Sequence, residues 1–228
     1  MIFAKPFLMA GVVALAGAGG ASAATLDFTD NSAYDVQTSA LASGSLGGGV
    51  TWTLTPNKGR MTFTSFDGDD SSAALAFEND GVGIFSGSDD SRGRDEVTRE
   101  GGESLILTFS RAIRLTGLQV LDLFFDDGAE EAIATNNDTG DTLLTVTANS
   151  ELGVSGGYAS KTTSVGVKSI RFAAGGAADN IDSDFALAAI DYATDADGNP
   201  APIPLPAGGL LLLGALGGLG LARRRKKA

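Results

Sequence analysis

Short runs of alternating polar and apolar residues constrain the fold of this chain more than any other feature of its sequence. In VTWTLTP, Val50 to Pro56, the side chains of Val50, Trp52 and Leu54 share one face of an extended strand, and the threonines share the other. The alternation predicts a strand with one buried face and places Trp52 in the core. A second alternating run, Arg60 to Phe66, follows after a turn-forming tetrapeptide, which predicts a β-hairpin.

Similar runs continue to the end of the central region and are bounded by Gly, Asp, Asn and Ser. No segment combines a sustained helical period with capping residues, so we expect an all-β fold, an antiparallel β-sandwich with jelly-roll topology. The glycine-rich stretches Gly44 to Gly49 and Gly153 to Gly157 suit tight loops. The further predicted strands are Ala73 to Phe77, Val82 to Phe85, Ser104 to Phe109, Ile113 to Phe125 with a break at Gly117, Glu131 to Thr135, Thr142 to Ala148, Lys168 to Ala173 and Phe185 to Tyr192.

Composition and charge exclude several classes of function. The chain has no Cys and no His, which excludes thiol nucleophiles, disulfides, Ser-His-Asp triads and nearly all zinc, copper and haem chemistry. Six of the 16 basic residues lie in the two end segments, so 10 bases stand against all 28 acids in the region between them. This acidic region repels phosphate backbones, and we expect no nucleic-acid partner.

The N-terminal segment has the composition of a secretory signal peptide. Lys5 precedes an apolar run, and the run ends at Ala21-Ser22-Ala23, a small-x-small cleavage site. We therefore expect signal peptidase to remove residues 1–23 and the mature chain to begin at Ala24.

The C-terminal segment has three parts, which are a short proline motif, a Gly- and Leu-rich span and a basic end. Residues 208–222 form a helix of only about 22 Å at ~1.5 Å per residue, and adding residues 203–207 brings it near the ~30 Å of a bilayer core. We expect a transmembrane helix and, by the positive-inside rule, a cytoplasmic stop-transfer cluster. The cluster consists of Arg223, Arg224, Arg225, Lys226 and Lys227.

This three-part segment resembles the VPLPA-CTERM sorting signal, a relative of the PEP-CTERM signals of Gram-negative bacteria. The motif here has Ile where the family usually has Val. The resemblance implies a precursor held in the inner membrane, processed near the motif by an exosortase-like protease or transpeptidase, and passed to the cell surface or the exopolysaccharide matrix. A plain single-span anchor is the alternative. The motif residues are Ile203, Pro204, Leu205, Pro206 and Ala207.

The expected organisation follows from these two ends. Residues 1–23 are the signal peptide, 24–194 the β-sandwich ectodomain, 195–202 a polar and proline-rich linker, and 203–228 the sorting signal with its helix and basic tail. Signal peptidase, the exosortase-like enzyme and the inner membrane are the expected partners of the precursor, and exopolysaccharide that of the product.

The acidic residues of the central region occur in loop clusters. Calcium takes six to eight oxygen ligands from such loops, and pairing of two strands would join Asp95, Glu96 and Glu103 with Asp184 in one calcium site. The alternative is that these acids are solvated loop residues that keep the protein soluble. Calcium is the only cofactor that the sequence indicates.

Two functions remain open from the sequence. The first is an exported structural or adhesive protein of the cell surface or matrix, and the second is a calcium-assisted carbohydrate-binding module. Paired carboxylates also serve glycoside hydrolysis. With 28 acids, however, the presence of a pair has no specificity, and we do not expect an enzyme.

Overall fold

The structure, a computed structural model, describes residues 22–30, 40–63, 75–86, 96–125, 129–148, 155–176, 183–195, 197, 199–201 and 203. These residues form ten β-strands and one short 3-10 turn, Ser155–Gly157. The strands are β1 (Ser22–Asp27), β2 (Ala42–Gly47), β3 (Val50–Pro56), β4 (Arg60–Thr62), β5 (Gly83–Phe85), β6 (Leu105–Leu121), β7 (Glu130–Asn136), β8 (Thr142–Thr147), β9 (Ala159–Gly176) and β10 (Ala186–Thr194).

Every strand pairing is antiparallel, which confirms the all-β prediction. Eight strands form one sheet, in which the order β1-β10-β6-β9-β7-β8 is joined by β3 on β6 and by β2 on β3. The short strands β4 and β5 form a separate two-stranded sheet.

The 17-residue strand β6 organises the large sheet because two strands share one of its edges. Residues 105–109 pair with β3 and residues 115–121 pair with β10. The other edge pairs with β9 along both halves, and the register shifts between Thr108 and Ile113. The two predicted strands in this region are therefore one strand, and a second register shift, between Leu115 and Gly117, lies at the predicted break.

Alternation along the strands builds one main core. Leu105, Leu107 and Phe109 are buried, whereas Ile106 and Thr108 are only half-buried. Trp52 is 2% exposed and packs edge-on against Phe28 with ring centroids 5.8 Å apart, which confirms its predicted place in the core. Each fully buried Leu or Phe contributes about 1.5–3 kcal/mol. Other fully buried members are Leu54, Met61, Ile84, Ile113, Leu115, Leu118, Phe172 and Phe185.

The predicted hairpin between residues 50–56 and 60–66 is wrong. Both edges of β3 are occupied, one by β2 and the other by β6, so β4 pairs instead with β5. The turn between β3 and β4 is tied to the start of β6, because the Asn57 amide accepts from the Ser104 N–H at 2.9 Å and donates to the Gly102 carbonyl at 3.0 Å.

The other strand predictions differ from the structure in two ways. Residues 75–77, the described part of the predicted strand Ala73 to Phe77, form no strand. Conversely, β2 lies in a stretch predicted to be loop, and the predicted strands also lack residues 159–167 of β9 and all of β1, which begins at Ser22 within the predicted signal peptide. A Cβ on Gly44 of β2 would lie 2.7 Å from the Trp52 ring, so glycine here allows the strand to pack over the indole.

The described part of the predicted linker is folded against the body rather than extended away from it. The backbone N–H of Ala201 donates to the Ala193 carbonyl at 2.8 Å, and Thr194 forms an antiparallel bridge with Pro200. The turn between them is closed by Asp195, whose carboxylate accepts the backbone N–H of Asn199 at 2.9 Å.

In the described part of the chain, no helix has the length and hydrophobicity that a membrane crossing requires. The predicted transmembrane helix, residues 1–21 of the predicted signal peptide and the stop-transfer cluster lie outside the described residues.

Candidate functional site

The two acidic segments that the sequence analysis joined lie side by side. The N–H of Val97 donates to the carbonyl of Phe185 at 2.8 Å, and the N–H of Arg99 donates to the carbonyl of Ser183 at 2.9 Å. This antiparallel pattern places residue 98 opposite Asp184.

Glu103, however, is engaged within its own loop. Its side chain is 2% exposed, and Oε2 accepts both the backbone N–H and the hydroxyl of Thr98 at 3.0 Å. The backbone N–H of Glu103 donates in turn to the Thr98 carbonyl. This carboxylate therefore closes the turn between residues 98 and 103 and aligns the start of β6.

Three of the four predicted calcium ligands lie in the described part of the chain. Glu96, Glu103 and Asp184 are described, and Asp95 lies outside the described residues. Within the ranges that the structure describes, no three acidic side chains are close enough to hold a metal ion. The calcium site that includes Asp95 stays a prediction.

Asp184 instead contacts a carboxyl that the sequence analysis did not single out. Glu130, at the start of β7, hydrogen-bonds the side chain and the backbone of Asp184. Oε2 of Glu130 also accepts the backbone N–H of Phe124 at 2.6 Å. Three segments thus meet at the Glu130–Asp184 carboxyl pair, namely the chain after β6, the start of β7 and the approach to β10.

Burial and charge give this pair unusual acid–base behaviour. Desolvation raises the pKa of Glu130 from 4.5 to about 8, the Phe124 N–H opposes the rise, and the neighbouring Asp184 carboxylate adds to it. Burial first, and the neighbouring Asp184 charge in addition, therefore favour the neutral form of the Glu130 carboxyl at neutral pH. Nothing in the local sequence marks Glu130, since the contact joins residues 54 positions apart (184 − 130).

The geometry of the Glu130–Asp184 carboxyl pair does not suit glycoside hydrolysis. The two carboxyls of a glycosidase stand ~5 to 9.5 Å apart so that a sugar bond, and in inverting enzymes also a water, fits between them. Glu130 and Asp184 are in direct hydrogen-bond contact. The arrangement can bind and release a proton at the point where three segments meet.

A second polar cluster crosses three strands of the large sheet. The Thr25 hydroxyl donates to Oδ1 of Asp191 at 2.7 Å, and the Gln119 amide donates to both Asp191 oxygens at 3.0 and 3.1 Å. The Tyr158 hydroxyl donates to the Gln119 carbonyl oxygen at 3.1 Å. We call Thr25, Asp191, Gln119 and Tyr158 the polar row; the first three lie on strands and Tyr158 directly precedes β9, and all four are at least partly exposed.

Ile203 is the described residue of the predicted sorting motif. Its Cδ1 atom lies 2.8 Å from the position that a Cβ on Gly166 of β9 would occupy. The first motif residue therefore packs directly on the sheet. Pro204, Leu205, Pro206 and Ala207 lie outside the described residues.

Two comparisons with known proteins found no relative. No protein-family model matches the chain, and no curated protein matches it.

The Glu130–Asp184 carboxyl pair makes stability depend on pH. The folded pKa of Glu130, about 8, lies above the unfolded value of 4.5, so the stabilisation is complete below pH 4.5 and is lost as pH rises through 8. Each pKa unit corresponds to about 1.4 kcal/mol, and solvent screening of this partly exposed carboxyl reduces the expected loss to about 1–2 kcal/mol. Urea denaturation at a series of pH values measures it.

Glu130→Gln keeps the shape of the neutral acid and should flatten this part of the pH profile. The matched control is Glu131→Gln, the next residue in β7, which should keep the wild-type profile. If Glu130→Gln and wild type lose stability in parallel between pH 5 and 9, the pKa of Glu130 is not raised in the folded protein.

Proposed function

We propose that this protein is an exported structural or adhesive protein of the cell surface or extracellular matrix, sorted through its C-terminal signal by an exosortase-like system. The precursor is held in the inner membrane, with the basic residues 223–227 in the cytoplasm and the acidic body on the other side. Signal peptidase removes residues 1–23, and the exosortase-like enzyme acts near residues 203–207.

One observation carries this proposal, which is that the two described chain ends leave the body together. In the precursor, Ser22 of β1 pairs with Thr194 of β10, and Pro200 bridges to Thr194. Because neighbouring strands lie ~4.8 Å apart, Ser22 and Pro200 are within about 10 Å of each other. The apolar N-terminal and C-terminal segments therefore start from the same end of the body and can enter one membrane surface.

Charge supports the same orientation. The acidic residues lie between the end segments, and the basic residues 223–227 follow the apolar span. A body with 28 acids is repelled by anionic lipid, whereas the basic cluster is attracted to the anionic cytoplasmic face. The two parts of the chain thus favour opposite sides of the membrane.

For the body we propose the β-sandwich, with jelly-roll topology, that the sequence analysis expected. Its support is that both halves of β6 contribute to the same core, with Leu107 and Phe109 from one half and Leu115 and Leu118 from the other. A long strand that changes partners along one edge, and buries one face on both sides of an exposed middle at residues 110–112, is typical of strands that pass between two packed layers. A rigid sheet of this kind suits a structural or adhesive role.

A calcium-assisted carbohydrate-binding module is the second candidate. The polar row favours it, because Asp, Gln and Tyr side chains held on rigid strands can hydrogen-bond sugar hydroxyls. The calcium part of this candidate depends on the predicted site at Asp95, Glu96, Glu103 and Asp184.

Mass spectrometry of the mature termini in separated cell fractions tests the sorting proposal. We expect all mature chains to begin at Ala24, and a surface or matrix fraction to lack residues 223–227. Pro204→Ala combined with Pro206→Ala should reduce that fraction at least several-fold, whereas Pro202→Ala, just before the motif, should leave it unchanged. Retention of residues 223–227 in every mature chain in the inner membrane would contradict sorting and leave a permanent anchor.

Glycan-array binding with and without calcium tests the second candidate. A carbohydrate-binding module predicts saturable binding that Asp191→Ala weakens about tenfold or more, because the carboxylate orients both Thr25 and Gln119. Asp141→Ala, in the exposed turn between β7 and β8, serves as the control. If the wild-type protein bound no glycan on the array, or if the two substitutions changed binding equally, the polar row would be excluded as a sugar-binding site.

A further inference from the structure

Strand β8 forms an open edge of the large sheet. In the described part of the chain it pairs only with β7, and it lies at the opposite end of the strand order from β1, where the chain ends leave the body. The edge is therefore at the far side of the sheet from the proposed membrane attachment.

The register identifies the backbone groups that face outward from this edge. The Ala148 N–H donates to the Glu130 carbonyl at 2.9 Å, in register with Val146 opposite Ala132. Because hydrogen-bonded and non-bonded positions alternate in an antiparallel pair, Thr145 and Thr147 direct their N–H and C=O groups away from β7. At the other end of β8 the register with β7 shifts, because Ala134 pairs with Leu144 but Thr135 pairs with Thr142. Residues 144–147 therefore form the regular part of the edge.

This edge lacks the features by which edge strands avoid pairing. Residues 142–148, TLLTVTA, contain no charge, no Pro and no Gly and are rich in Thr, Leu and Val. The other edge strands differ. β2 contains Gly44 and Gly47 and a register shift, and the Asp27 carboxylate of β1 accepts the N–H of Ala76 at 2.8 Å, which holds a loop beside that strand.

Charge restricts which partner can approach. The chain carries a net charge of −12, so two copies repel each other over most of their surface, whereas residues 142–148 add no charge of their own to a contact along β8. The outward backbone groups are also self-complementary. When two copies of β8 meet antiparallel with Thr145 of one opposite Thr147 of the other, the N–H and C=O groups of these residues form four hydrogen bonds around a two-fold axis.

We propose that the β8 edge is a self-association site at which a second copy of this chain adds its own β8 in antiparallel register, Thr145 opposite Thr147. The large sheet then continues across the two copies. This interface is independent of the sorting proposal, and each can fail without the other.

Cysteine cross-linking of the full-length chain in detergent tests the contact and its register. The chain has no Cys, so Thr145→Cys and Thr147→Cys each introduce a single thiol. Residues directly opposite each other in such a pair have Cα atoms ~5.5 Å apart, which suits a disulfide between Thr145→Cys of one copy and Thr147→Cys of the other. Thr145 of one copy and Thr145 of the other are not opposite each other, because they are offset by two residues along the strand. Mild oxidation of the two variants mixed should form disulfide-linked dimers at least about tenfold faster than Thr147→Cys mixed with Thr51→Cys, an exposed site on β3. Equal rates would overturn the proposal.

Backbone chemistry at Thr145 provides the second test. Thr145→Pro removes an outward N–H without removing a hydrogen bond to β7, so the body should still fold, and self-association measured by sedimentation should weaken at least about tenfold. Thr145→Val is the matched control because it keeps the N–H and should associate like wild type. A wild-type chain that stays monomeric, or Pro and Val variants that associate alike, would also overturn the proposal.

Discussion

The structure depends on how the backbone N–H and C=O groups along both edges of the 17-residue strand β6 find hydrogen-bond partners. A strand of this length in the interior of a sheet must find hydrogen-bond partners along both edges, since unpaired buried backbone groups are costly. One edge is divided between β3 and β10, and the other is covered along both halves by the 18-residue β9. The remaining strands add outward from these partners, which leaves β1 at one end of the strand order and β8 at the other.

This arrangement also determines where acidic side chains can lie. The core face of β6 is filled by Leu, Ile, Val and Phe, so the acids are displaced to turns, to the solvent-facing side and to strand ends. Two carboxyl groups nevertheless lie at the ends of β6 and are used inside the fold. Glu103 closes the turn that leads into β6, and Glu130 joins the chain that leaves β6 to β7 and to the approach to β10. Both ends of the central strand are thus fixed by a carboxyl group that accepts a backbone N–H.

Much of the fold could be predicted from local sequence because the strands have one buried face. The run from Val50 to Pro56 is β3 at the predicted residues, and Thr142 to Thr147 form β8 inside the predicted range. Strand partners could not be predicted in this way. Alternation shows which face of β3 is buried but carries no information about the strands that pair with its edges. For this reason the sequence predicts a hairpin of β3 with β4 and does not predict the pairing of β3 with β6.

The candidate site shows the same limit more clearly. Acidic clusters are visible in a sequence, and the pairing of the chain near Glu96 with the chain near Asp184 follows from expecting neighbouring strands. The partner of Asp184 is Glu130, a single residue in an ordinary strand, and only the three-dimensional convergence of three segments brings it there. β2 was hidden for a different reason, because its Gly44 serves the approach to Trp52 rather than a loop, and only Gly47 leads into a turn.

Native-state hydrogen exchange along β6 tests most directly whether one strand holds the body together. Residues 105–109 and 115–121 should exchange through the same global opening, with equal free energies and equal sensitivity to denaturant. Faster exchange at residues 110–112, where the pairing with β9 is interrupted, fits this view. If residues 105–109 opened independently of residues 115–121, β6 would join two separate bodies, and its role as the common strand would be contradicted.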